Sequence, residues 1–164
     1  MAGLPGTGKS TLARALAQEL RGSVLSKDAV RQALFAPQDI EYSVEQDDFC
    51  VEVMLQAASY LLRKQPARFI FLDGRTFSRQ YQVKRILDFA SELSQNWRII
   101  ECTCSQATAQ SRLSIENGHL AGNRDFQLYL EVKDRFEPIT QPKIVVDTDQ
   151  PLESCISQCL EALA

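Results

Sequence analysis

Hydrophobic positions recur at helical spacing over residues 10–20, where Leu12, Leu16 and Leu20 stand four apart and Gly22 supplies the stop. A short strand is expected at 23–26, then one or two helical turns at 28–35, broken by Ala36-Pro37-Gln38-Asp39. Ser43 opens a longer helix. Ser43-Val44-Glu45-Gln46 has the spacing of a capping box, and Val51, Met54, Ala58, Leu61 and Leu62 form an apolar face running to about Lys64. After Gln65-Pro66 the period changes: Phe69-Ile70-Phe71-Leu72 is a continuous apolar run, as a strand covered on both faces shows, and it closes on Asp73-Gly74.

The alternation continues with a helix over 79–93, a strand over 97–104 and a helix over 106–114. A polar loop spans 115–123, followed by a helix over 124–136, a strand over 143–147 and a helix over 151–163. With no internal repeat and no linker, the pattern predicts a single α/β domain whose helices cover a parallel sheet. A length of 164 residues fits one domain with a core of useful size.

Composition excludes several classes. With 45% hydrophobic and 24% charged residues the chain is neither disordered nor low in complexity. A net charge of -3 counts against a nucleic-acid-binding surface, which needs clustered Lys and Arg. The 5 Cys are odd in number and form no paired framework, which points to a reducing cytoplasm. No apolar run reaches the roughly 18 residues of a membrane span, and the N-terminus lacks a secretory layout.

Gly3-Leu4-Pro5-Gly6-Thr7-Gly8-Lys9-Ser10 matches the phosphate-loop pattern G-x-x-x-x-G-K-[ST] and opens directly into the first helix. The glycines let backbone N–H groups turn onto phosphate oxygens, where the helix dipole adds favourable potential. Gly3, Pro5, Gly6, Thr7, Gly8, Lys9, Ser10 and Thr11 are thus the expected ATP-binding set, with Lys9 at the β- and γ-phosphates. The Ser10 hydroxyl is expected on Mg²⁺, together with Asp73 at the end of the apolar strand. Only Met1 and Ala2 precede Gly3, too few for the buried strand that normally launches such a loop. The expectation is a shortened or absent first strand and a gap in the sheet, with the translation start upstream or the chain truncated.

Ser26-Lys27-Asp28-Ala29-Val30-Arg31 resembles the S/N-x-D-x-x-R segment of the polynucleotide kinase and zeta toxin-like group of P-loop kinases. The similarity extends over most of the chain, from the loop through Phe69 to Asp73 and an Arg-bearing lid to Val145-Val146-Asp147-Thr148. It implies a three-layer P-loop NTPase fold of strand order 2-3-1-4-5 that transfers the γ-phosphoryl of ATP to a hydroxyl. In that scheme Lys9, Asp28, Arg31 and Arg124 carry the transfer. Arg112 and Arg124 resemble lid arginines bracketing a lid at about 112–125, with Arg112 on the nucleotide. Thr148 and Asp149 are adenine-side by resemblance only.

Chemistry supports the same roles. Phosphoryl transfer needs positioning, charge neutralisation and one base near the attacking hydroxyl, and Asp28 follows the C-terminal end of a strand, where ligands of open parallel sheets bind. Arg31 shares its helix face. Asp28 reads alternatively as a helix cap and Arg31 as a solvated side chain. Residues 36–43 and 75–79, including Arg75 and Arg79, are expected to line an acceptor pocket. The lone His119 reads as solvated, Cys102-x-Cys104 lacks a second pair to complete a metal site, and Cys155 and Cys159 read as packing. The leading expectation is a kinase acting on a hydroxyl of a small molecule. Its alternatives are a nucleic-acid 5′-hydroxyl kinase, an ATP-binding regulatory module and an inactive fragment of a kinase.

Overall fold

A computed structural model, described for residues 1–115 and 125–163, realises this alternation. In chain order the elements are α1 (Lys9–Glu19), β1 (Ser23–Ser26), α2 (Lys27–Leu34), α3 (Val44–Lys64), β2 (Ile70–Asp73) and α4 (Gln80–Glu92). They continue with β3 (Ile99–Thr103), α5 (Gln106–Ile115), α6 (Phe126–Asp134), β4 (Lys143–Asp147) and α7 (Leu152–Leu163).

The strands pair in parallel. β1 runs beside β2 with Ser26 opposite Asp73, and β3 beside β4 with Thr103 opposite Asp147. Between the two pairs lie Met1 and Ala2. The Met1 ammonium donates to the Leu72 carbonyl at 3.0 Å, Ala2 N–H donates to the Ile100 carbonyl at 2.7 Å, and Cys102 N–H donates back to Ala2 at 2.9 Å. The order 2-3-1-4-5 is therefore kept, with the central place held by two residues that make a single parallel bridge to Glu101. Beside these two residues lies a largely apolar cavity of about 550 Å³, lined among others by Met1, Phe69, Ile70, Trp97 and Ile99. Burial pushes the Met1 amine below its ordinary value, against the opposing pull of Asp73.

Strand alternation sorts the core onto two faces. Phe71, Ile100, Cys102 and Val146 pack under Leu12 and Leu16 of α1 and Cys155 and Cys159 of α7. Their neighbours Leu25 and Leu72 turn the other way, onto Val51, Met54 and Leu55 of α3 and Phe89 of α4, while Ile99 meets Val83 of α4. Each fully buried Leu contributes about 1.5–3 kcal/mol. All five cysteines are free, and burial raises the thiols of Cys102 and Cys159 to about 11. No helix among the described residues is long and apolar enough to cross a membrane.

Two helix ends differ from expectation. α1 stops through Arg21, which takes the left-handed conformation at φ 48, while Gly22 N–H closes the turn on the Ala17 carbonyl at 2.8 Å. Gly22 is needed for a different reason: a Cβ there would stand 2.7 Å from the carbonyl of Phe69. At α3 only half of the capping box forms. Ser43 Oγ accepts from Gln46 N–H at 3.1 Å, but the Gln46 side chain is engaged elsewhere.

Candidate active site

The loop at residues 3–10 folds tightly against β3. A Cβ on Gly3 would sit 2.3 Å from the Cys102 carbonyl, and Gly8 takes a left-handed φ of 76 as it enters α1. No side chain caps α1, so the N–H groups of its first turn keep their capacity for an anion. Thr7 Oγ1 and Lys9 Nζ both donate to the Leu4 carbonyl, at 2.8 and 2.7 Å, which draws the loop closed and buries Lys9. Ser10 is half-buried at the mouth of the adjoining cleft, and Thr11 is exposed.

Arg112, in the last turn of α5, fastens this loop to the far strand. Its Nη1 donates to Thr148 Oγ1 at 2.9 Å and to the Gly6 carbonyl at 3.3 Å, and its Nη2 donates to the Thr148 carbonyl at 2.7 Å. Thr148 Oγ1 also lies 3.1 Å from the Thr7 carbonyl. Asp149 instead serves α5, accepting from Ser105 N–H at 2.8 Å. Arg124 and His119 lie outside the described residues, as does the middle of the expected lid.

At the end of β1 a buried charge network forms. Ser26 caps α2, accepting from Ala29 N–H at 3.4 Å, which leaves Asp28 in the first turn rather than at the cap. Asp28 is 7% exposed and Arg31 only 2%, so neither the capping Asp nor the solvated Arg is realised. Arg31 Nη1 donates to Asp28 Oδ1 at 3.0 Å, its Nε to Gln46 Oε1 at 3.1 Å, and its Nη2 to Asp47 Oδ1. Lys27 Nζ stands 2.6 Å from Asp47 Oδ1 and 3.1 Å from Asp28 Oδ1. Two cations thus hold Asp28 by one oxygen. Among the described residues no hydrogen bond is donated to Oδ2.

Asp73 closes β2 beside Ser26, and its buried Oδ1 has no hydrogen-bond partner among the described residues. Arg75 pairs with Asp48 at 2.5 Å and donates to Tyr81 at 3.2 Å. Arg79, at the N-terminus of α4, pairs with Glu137 at 3.0 Å, whose other oxygen accepts from Gln80 N–H at 2.7 Å. A cleft of about 460 Å³ brings Lys9, Ser10, Asp28, Arg31, Arg75 and Arg79 together. Of the segment 36–43 only Tyr42 lines it, its ring 5.3 Å from the Arg31 guanidinium carbon. The opposite wall, Leu128, Val132 and Arg135 from α6 and its exit, was not foreseen.

Lys27, Gln46, Asp47 and Asp48 also escaped the sequence reading. For the last three the local signal is the polar run Gln46-Asp47-Asp48 ahead of the apolar face of α3, which capping chemistry already explains, and Lys27 lies unassigned between Ser26 and Asp28. Among the described residues no group of three or more His, Cys, Asp or Glu gathers as a metal site. A phosphate-loop cation takes most of its ligands from phosphate and water, so one hydroxyl and one carboxylate suffice.

The profile of an AAA domain matches residues 1–139. Against curated protein sequences nothing matches. Among solved structures, APS kinase CysC of Mycobacterium tuberculosis in complex with AMPPNP and APS is similar, with a TM-score of 0.73 and 15% identity, covering 99% of this chain and 94% of that one. A gluconokinase from Sinorhizobium meliloti 1021 has a TM-score of 0.67 at 17% identity, covering 99% and 88%. Chaetomium thermophilum Kti12 in complex with ADP-AlF3 has a TM-score of 0.66 at 16% identity, covering 99% and 97%. At such identities the likeness speaks for the fold, and the profile, reaching from the phosphate loop past α6, speaks for descent: the chain belongs to the AAA domain family AAA_33 and has the fold of P-loop kinases.

Proposed function

We propose that this chain is an ATP- and Mg²⁺-dependent phosphotransferase that moves the γ-phosphoryl group of ATP to a hydroxyl of a small molecule. The observation that carries the reading is the position of Asp28, buried in the same cleft as Lys9 and Ser10 with one oxygen tied to Arg31 and Lys27. A carboxylate held this way is oriented by one oxygen and accepts a proton on the other. The names of the similar structures, a gluconokinase and an APS kinase, fit a small-molecule acceptor.

The residues suit both cofactors. Backbone N–H groups from Gly6 to Ser10 would hold the ATP phosphates with Lys9, and Ser10 with the unpartnered Asp73 Oδ1 would hold Mg²⁺, which neutralises phosphate charge. With ATP bound, Asp28 Oδ2 would accept the proton of the acceptor hydroxyl, freeing the hydroxyl oxygen to take the γ-phosphoryl group with ADP as the leaving group. Arg31 keeps Asp28 in place, and Arg112 keeps the loop against Thr148. Arg124, outside the described residues, keeps the catalytic role that the family resemblance implies for a lid arginine.

Transfer of radiolabel from γ-labelled ATP into a metabolite extract, and separately into a 5′-hydroxyl oligonucleotide, tests the reading. Asp28→Asn should lower transfer by roughly 10²- to 10⁴-fold while ATP still binds. Unchanged transfer in that variant would remove Asp28 from the mechanism, and ATP binding without any labelled acceptor would favour a regulatory module.

A further inference from the structure

The cleft beside the phosphate loop reverses the charge of the chain. Six cationic side chains line it, Lys9, Lys27, Arg31, Arg75, Arg79 and Arg135, against the carboxylates of Asp28, Asp47 and Glu137. Elsewhere acid prevails, since the whole chain has Asp+Glu 21 to Lys+Arg 18. Lys27 and Arg31 are committed to Asp28 and Asp47, and Lys9 belongs to the loop. Three arginines remain, and none is matched by a buried anion.

Arg75 is 5% exposed, yet its carboxylate partner Asp48 has a side chain 45% exposed, and the buried Arg75 Nε has no acceptor among the described residues. A desolvated guanidinium with a partner still half in water keeps most of its own desolvation cost. Glu137, 42% exposed, divides its oxygens between Arg79 and the N–H of Gln80. The Arg135 side chain is exposed and makes no hydrogen bond or ion pair with the described residues, its backbone N–H alone donating to the Lys133 carbonyl. Lys9 and Ser10 enter the cleft from the phosphate loop, whereas these three arginines come from the segment after β2, the start of α4 and the exit of α6; Arg112 grips Gly6 and Thr148 and does not line this cleft.

We infer that the acceptor carries an oxyanion group, a carboxylate or a phosphate or sulfate ester, bound by Arg75, Arg79 and Arg135 while its hydroxyl faces Asp28. Guanidinium forks match such groups with paired, charge-assisted hydrogen bonds. The inference rests on the kinase reading of the same cleft. It adds that neutral sugars, alcohols and nucleosides are poor acceptors.

Two measurements test it. In the first, inorganic sulfate is titrated calorimetrically into protein saturated with Mg²⁺ and a non-hydrolysable ATP analogue, so that the phosphate loop is filled. Saturable binding is expected, weakened about tenfold or more in Arg135→Gln and in Arg75→Gln. Arg85→Gln, whose guanidinium lies on Glu52 away from the cleft, should bind sulfate as the parent does. No saturable binding, or equal affinity in all variants, overturns the inference; the exposed Arg135 guards against misfolding of the Arg75 variant.

In the second, γ-label transfer is compared over glycerol, glycerate and glycerol 3-phosphate, and over glucose, gluconate and glucose 6-phosphate. A preference of about a hundredfold in kcat/KM for an anionic member supports the site and separates carboxylate from phosphate. Equal use of neutral acceptors overturns the anion site and leaves the kinase reading intact. Label on no acceptor counts against the kinase reading, and the sulfate titration then decides the anion site by itself.

Discussion

Gln46 and Arg31 meet across the packed helices α3 and α2, the amide Oε1 lying 3.1 Å from the guanidinium Nε. The same oxygen accepts Glu41 N–H at 2.7 Å, and Nε2 donates to the Asp39 carbonyl at 2.9 Å, so the amide has no freedom to rotate. Arg31 is thereby fixed, and Asp28 with it. Gln46→Leu should lower kcat roughly tenfold or more, the worth of one charge-assisted hydrogen bond to the arginine that holds the base, while the Kd for ATP stays within about twofold. Gln46→Glu keeps the accepting oxygen and should restore most of the loss. Steady-state kinetics beside ATP titrations check both; equal loss of turnover and ATP binding would assign Gln46 a merely structural role.

Arg112 joins the phosphate loop to the strand end at Thr148 through three hydrogen bonds. Arg112→Met should weaken ATP binding by about 10- to 100-fold, since hydrogen bonds from a charged donor are worth about 1.5–3 kcal/mol. Fluorescent nucleotide titration measures it. An unchanged affinity would mean that the loop holds its shape without the brace.

Gly22 and Arg21 carry opposite strains. Gly22→Ala places a methyl group 2.7 Å from the Phe69 carbonyl and should cost about 1–3 kcal/mol in urea unfolding. Arg21→Gly relieves a left-handed φ of 48 and should be neutral or stabilising by about 0.5 kcal/mol.

The cavity between β2 and β3 has the apolar lining of a strand site. Adding four designed apolar residues ahead of Met1 should fill it and remove the buried ammonium that now donates to Leu72. The expected gain is roughly 2–4 °C in Tm for each kcal/mol of stability. An extension of the same length built from Asp and Lys should give none, and equal melting of the two would show that the cavity does not accept a strand.

Two solvent-accessible carboxylates each add a small contribution to the acid limb of stability. Asp149 is held below its ordinary 3.8 chiefly by the Thr108 hydroxyl and the Ser105 N–H, and Glu137 below its ordinary 4.5 chiefly by the Gln80 N–H and then Arg79. A folded-state value below the unfolded one stabilises above the unfolded value and loses that contribution as pH falls through the folded one. Asp149→Asn and Glu137→Gln should each reduce the drop in urea midpoint between neutral pH and about pH 3.

The phosphate loop, the helix it opens, the capping serine of α3 and the strand ending in Asp73 are legible from the sequence alone. Each depends on residues close in the chain, where turn geometry, helix period and strand alternation act locally. That Met1 and Ala2 make no more than a bridge was legible as well, because two residues are too few for a strand. The site network could not. Arg31 reaches Gln46 over 15 residues, Arg79 reaches Glu137 over 58, and Arg112 reaches Gly6 over 106. Only tertiary structure decided these partners: they follow from how α2 packs on α3, and α5 on the loop, and local periodicity carries no term for the rotation or spacing of one element against another. The same packing turned Gln46 from half of a capping box into the support of Arg31, and gathered into one cleft arginines that lie 60 residues apart, Arg75 and Arg135.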